Sequence, residues 1–218
     1  MYKHASYAIH RRLVIAFLIC VAIADSLLAV NPPKKYALLI GVSQYDHAGM
    51  NRPKPLEFPE DDAKAVAEVL KASGYEVDLL LGSDAHRKAI RDRLADLGKK
   101  GNQQGVVVVG LWGHGIEIQG DDDSHFCPFD TTLRVVRYAN GDPVRNKETN
   151  EIENEPDPDS LIGMSEVLAA MKSGGAGNQL LLADCCRNSP FAARTFGRAF
   201  GDKIRVSDLP RNTTALFS

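Results

Sequence analysis

Five short apolar runs punctuate the chain, and stretches with helical spacing separate most of them. The runs are Tyr36–Val42, Tyr75–Leu81, Val106–Leu111, Gln179–Ala183 and Thr213–Phe217. Runs this short, rich in Val, Leu and Ile and bounded by Gly or charge, read as strands. After the first run, Pro59 and the acids Glu60, Asp61 and Asp62 precede Ala63, Val66, Ala67 and Leu70. Proline and carboxylates in the opening turn and apolar residues three and four apart predict a helix, which Gly74 ends. Ser83 and Asp84 are candidate caps for a helix carrying Ile90, Leu94 and Leu97. Met164, Val167, Leu168 and Met171 mark another helix, and Phe191–Phe200 also reads as helical. Strands apolar throughout, joined by amphipathic helices, imply an α/β fold: a mostly parallel sheet with helices on both faces. Sites in such sheets collect at the carboxyl ends of the strands.

The N-terminus obeys different rules. Lys3, Arg11 and Arg12 precede an apolar run from Leu13 to Ala24, which ends in Ala22-Ile23-Ala24 before Asp25. That pattern predicts a secretory signal over residues 1–24, a short linker over 25–33 and export of the rest. The run falls short of the ~20 apolar residues a bilayer span takes, although left uncleaved it would serve as an anchor. Loss of the signal removes Cys20 and leaves Cys127, Cys185 and Cys186. An odd number of cysteines in an exported chain leaves at least one thiol unpaired. Neighbouring Cys185 and Cys186 make a strained ring if paired, so the cysteines read as chemistry or core.

A net charge of -2 over 218 residues gives no electrostatic case for nucleic acid. Residues 134–160 are polar and charged, with a run of acids from Glu148 to Asp159, and predict a long surface insertion, partly disordered. Their acids lack the spacing of a calcium-binding loop, so no metal site is expected there.

Two strand ends carry reactive groups. The third run leads into Trp112-Gly113-His114-Gly115, and the fourth into Asp184-Cys185-Cys186-Arg187. If the two strands are neighbours, an imidazole and a thiol face each other at the rim of the sheet. A thiol beside an imidazole has a lowered pKa and attacks carbonyls, while the imidazole handles the proton of the leaving amine. Glycine beside His114 lets the backbone approach a substrate. The N–H groups of Gly115 and of the cysteine itself are then candidate oxyanion donors. A loop flanked by glycines also implies that little packing depends on His114.

The pairing of Leu111-Trp112-Gly113-His114-Gly115 with Leu182-Ala183-Asp184-Cys185-Cys186-Arg187-Asn188 resembles the caspase-like cysteine peptidases, closest to the bacterial metacaspase-like proteins. Tyr36-Ala-Leu-Leu-Ile-Gly-Val-Ser-Gln-Tyr45 is similar to that family's first strand. Asp61-Asp62-Ala63 is similar to the start of its first helix. His125-Phe-Cys-Pro-Phe-Asp130 resembles the short strand after its catalytic histidine. The resemblance covers residues 34–218 and implies a caspase-like three-layer fold.

It also implies roles. His114 matches the catalytic histidine and Gly115 the oxyanion glycine. Cys186 matches the nucleophile, because the family pattern is Asp, any residue, Cys, and Asp184 stands two before it. Asp62 and Asp184 are then expected to bind the substrate's basic side chain, with cleavage after Arg or Lys. Trp112 stands where the family commonly has Ser and is expected to line the same pocket. Protein or peptide substrates are implied, with no cofactor in the reaction; some metacaspases require calcium, and no calcium-ligand cluster is recognisable by matching. The family domain normally continues beyond the strand that ends this sequence, which implies a truncated C-terminus. The alternative function is a catalytically inactive relative that serves as a binding or regulatory module.

Overall fold

The computed structural model describes residues 33–100, 104–118, 120–147, 149–186, 200–201 and 204–217. The expected signal of residues 1–24, most of the linker and most of the expected helix Phe191–Phe200 lie outside the described residues. Residues Lys34–Ser218 form one compact unit. Its centre is a parallel sheet in the order β2-β1-β3-β8-β9. These strands are Lys35–Gly41 (β1), Glu76–Leu81 (β2), Val106–Glu117 (β3), Asn178–Cys186 (β8) and Thr213–Phe217 (β9). The far end of β3 also pairs antiparallel with β4 (Ser124–Phe126), which pairs with β7 (Ile162–Gly163).

Alternation along each strand sends side chains to opposite faces, and the two faces are covered differently. Ala37, Leu39, Val108 and Trp112 pack with Ala63 and Ala67 of helix α1 (Pro59–Ala72). Leu38, Ile40, Val109, Leu111 and Leu181 pack on the other face against α2 (Arg87–Lys100) and α3 (Met164–Gly174). Ile90, Leu94 and Leu97 are the buried residues of α2, and Met164, Val167, Leu168 and Met171 are among those of α3, as their spacing predicts. The result is the expected three-layer α/β arrangement, with helices on both faces.

Three local expectations change. Ser83 and Asp84 do not cap α2; they sit in a single 3-10 turn, Gly82–Asp84. The N-terminus of α2 is satisfied instead by His86, whose Nδ1 accepts the Ala89 N–H at 3.1 Å, and by Asp130, which accepts the Arg87 N–H at 2.7 Å. The acidic insertion is more regular than its composition implies. Strands β5 (Leu133–Val135) and β6 (Asn154–Pro156) pair antiparallel, and the bridges Arg137–Pro143 and Arg145–Ile152 extend the regularity. Val136 and Val144 bury themselves within it, and Arg134 holds Glu155 through two nitrogens, at 2.8 and 2.9 Å. Two buried valines and a ladder of backbone bonds outweigh the polar composition. Finally, β3 does not end at Leu111, and this reshapes the site.

Candidate active site

β3 runs through His114 to Glu117, so the histidine sits within a strand and not in a glycine loop. The glycines serve packing there. A Cβ at Gly110 would stand 2.4 Å from the Trp112 ring, and one at Gly115 would stand 2.4 Å from Phe200. The strand continues past the end of β1 because β4 takes over as its partner on that edge.

His114 is buried, 6% exposed, and held at four points. Its N–H donates to the Tyr45 hydroxyl at 2.7 Å, and its carbonyl accepts from the Cys127 N–H at 3.0 Å. Its ring stacks on Tyr45 with centroids 5.0 Å apart and planes 19° from parallel. Nε2 lies 3.1 Å from the Met50 carbonyl oxygen. A carbonyl can only accept, so Nε2 carries the proton and Nδ1 presents its lone pair. Among the described residues Nδ1 has no hydrogen-bond partner. Burial pushes the imidazole pKa below its ordinary value, opposed by the bond to Met50. The ring is therefore held neutral, with a basic lone pair on Nδ1.

β3 and β8 are adjacent and parallel, and their register sets His114 directly opposite Cys186. Adjacent strands lie about 4.8 Å apart, which is the scale of a dyad. Cys185 belongs to the core: it is fully buried, with Sγ 3.9 Å from the Leu111 carbonyl oxygen. Because Cys127 N–H bonds the His114 carbonyl, the antiparallel pattern turns the Gly115 N–H away from β4. It faces the edge occupied by β8, at the level where that strand ends.

The acids expected to bind substrate share this rim. Gly41, Trp112 and Asp184 stand side by side across β1, β3 and β8. Helix α1 begins against Gly41, where a Cβ would lie 2.8 Å from the Pro59 carbonyl oxygen. Asp62 in its first turn and Asp184 on β8 are both exposed. Trp112 is a correction. It is 6% exposed and packed under α1 with Ala37, Leu39 and Ala63, so it is a core residue and not a pocket wall. The empty space over Gly110 is what admits its ring.

Four contributors were not visible in the sequence. Tyr45, the Met50 carbonyl and Asn51 frame the histidine from the turn after β1. Tyr45 lies in the motif of the first strand, but nothing in the spacing pointed its ring at His114. Phe200 lies against Gly115 and Cys185, and its ring centroid stands 6.2 Å from that of Phe217. His125 on β4 is also buried, and its Nε2 lies 3.4 Å from Asp121 Oδ2. Among the described residues no group of three His, Cys, Asp or Glu side chains is placed to hold a metal ion. Nor is any helix among them long and apolar enough to cross a membrane.

A family model described as Peptidase_C14, the caspase domain, matches residues 34–213. No curated protein matches the chain. Among solved structures, a protein from Geobacter sulfurreducens is similar at 21% identity and a TM-score of 0.49, over 71% of this chain. The chain spans about half, 51%, of that protein's length.

Proposed function

The chain belongs to the caspase-domain family of cysteine peptidases, and from that premise we propose that it is an exported endopeptidase working through His114 and Cys186. The observation that carries the reading is the register of these two residues on adjacent strands, with the histidine neutral and Nδ1 unoccupied. In the proposed reaction Nδ1 of His114 takes the Cys186 thiol proton, and the resulting thiolate attacks the substrate carbonyl carbon and forms a C–S bond. The carbonyl oxygen becomes an oxyanion, received by the N–H groups of Gly115 and Cys186. Protonated His114 gives its proton to the departing amine as the C–N bond breaks. Water then attacks the thioester, Nδ1 takes the water's proton, and the thiolate leaves. His114 acts twice, and the Met50 carbonyl keeps the same nitrogen facing the reaction each time.

We place the substrate's Arg or Lys side chain against Asp184 and Asp62. Their shared rim position supports this, because two carboxylates there favour a cation and repel an acidic side chain. The chemistry needs no cofactor; assay with and without calcium and a chelator tests activation. Residues 1–24 are proposed as the export signal, and peptides or proteins as the substrates. The departure at Trp112 lends no weight to an inactive relative, since the indole packs in the core under α1. A peptide-library cleavage assay tests the function, with Cys186→Ala as control. Cleavage after basic residues that disappears in the variant supports it; equal signal in both overturns it.

A further inference from the structure

We propose that Asn51 is a positioning residue for His114. This rests on the dyad reading above, and it concerns how the base is held.

Among the described residues, the ring contacts given above that orient the imidazole come from the turn between β1 and α1. Tyr45 supplies the stacked ring and the hydroxyl that accepts the His114 N–H. Met50 supplies the carbonyl that fixes the tautomer. A turn after a strand is free to shift unless something closes it. Asn51 closes this one with a single carboxamide. Its Oδ1 accepts the Tyr45 N–H at 2.8 Å, and its Nδ2 donates to the Tyr45 carbonyl at 2.8 Å. Both polar groups of one side chain hold both polar groups of one backbone residue. Asn51 also directly follows Met50, whose own N–H donates to the His47 carbonyl at 2.9 Å and whose side chain is fully buried.

The consequence follows from geometry. One side chain ties the residue that supplies the stacking ring to the one beside the accepting carbonyl. Only an amide can do this. A carboxylate at position 51 accepts from the Tyr45 N–H but cannot donate to its carbonyl, and an apolar residue does neither. Without the clamp the Met50 carbonyl drifts from Nε2, the tautomer is no longer fixed, and Nδ1 carries the proton part of the time. A protonated Nδ1 cannot act as the base.

The test compares wild type with Asn51→Ala and Asn51→Asp by two measurements: peptide hydrolysis, and ¹⁵N–¹H spectra of the histidine ring nitrogens. The His114 signals are assigned by their loss in His114→Gln. Wild type is expected to show His114 in the Nε2–H form alone. Asn51→Ala is expected to show averaging between tautomers and a kcat lowered about 100-fold, with KM within about twofold. Asn51→Asp keeps one of the two bonds and should fall between them; it also carries the test if the alanine variant does not fold. A kcat loss with the tautomer unmoved means a merely structural role and overturns the proposal, as does an unchanged kcat. The spectra need no turnover. A wild type that cleaves nothing, yet whose tautomer shifts with Asn51, overturns the peptidase reading and leaves the clamp standing.

Discussion

The Cβ of Cys185 stands 2.8 Å from the point where a side chain at Gly115 would begin. The expected oxyanion glycine and the buried cysteine beside the expected nucleophile therefore occupy one tight contact, closed on its other side by Phe200. Gly115→Ala must push at least one of them aside. Such overpacking costs about 1–3 kcal/mol. We expect a lowered Tm together with a loss of hydrolysis larger than the loss of folded protein. An unchanged Tm would show that Phe200 yields freely.

The two neighbouring cysteines should separate cleanly by mutation. Cys186→Ala is expected to remove hydrolysis and labelling by a peptide-derived thiol probe. Cys185→Ala should keep both, but lose about 1 kcal/mol of stability because it vacates buried volume. Denaturant titration and probe labelling on both variants decide this; an exchange of the two outcomes would move the nucleophile by one residue.

His114 should matter for folding as well as for turnover. It is buried, stacked and bonded, so His114→Ala is expected to destabilise by about 1–3 kcal/mol in addition to abolishing hydrolysis. Its pKa is lowered in the native state from an ordinary 6.5, so the unfolded chain binds the proton first. Its contribution is complete above that value and falls as pH drops toward the lowered native value. Urea midpoints between about pH 8 and about pH 5 should therefore fall more for wild type than for His114→Gln. Parallel curves would contradict a buried neutral imidazole.

Trp112→Ser introduces the residue that the caspase-like resemblance implies, yet it should harm this protein. The indole packs with Ala37, Leu39, Ala63, Ala67 and Val108, and its removal opens a cavity costing about 3–5 kcal/mol. The ratio of Arg to Lys cleavage should stay the same in whatever protein folds. A changed ratio at unchanged Tm would return Trp112 to the pocket.

Asp184→Asn should weaken cleavage after Arg more than after uncharged residues. Arg-ending fluorogenic peptides are expected to exceed Asp-ending ones by about tenfold or more in wild type, and the margin should shrink in the variant. Equal rates on the two peptides in wild type, or a margin untouched by Asp184→Asn, would remove the acidic pocket.

The sheet was legible because its strands are apolar on both faces and its helices are not. Ile90, Leu94 and Leu97, for example, had one solution, and they took it. The pairing of His114 with Cys186 was legible as two reactive groups at two strand ends. Their register was not, because it depends on which strands become neighbours. The glycines around His114 misled for a physical reason. Glycine marks a turn or a close approach with the same letter, and here Gly110 and Gly115 make room for Trp112 and Phe200. Trp112 was misplaced by the same ambiguity, since an aromatic two residues from a catalytic candidate fits a cleft or a core equally well. Asn51 was silent because its partner, the Tyr45 backbone, leaves no pattern in side-chain type.

His114 and Cys186 ride on strands with a hydrogen-bonded neighbour on each side: β3 between β1 and β8, and β8 between β3 and β9. Separating the two strands along their length means unzipping the middle of the sheet. Amide hydrogen exchange at Val109 and Leu181 should then proceed only through global opening.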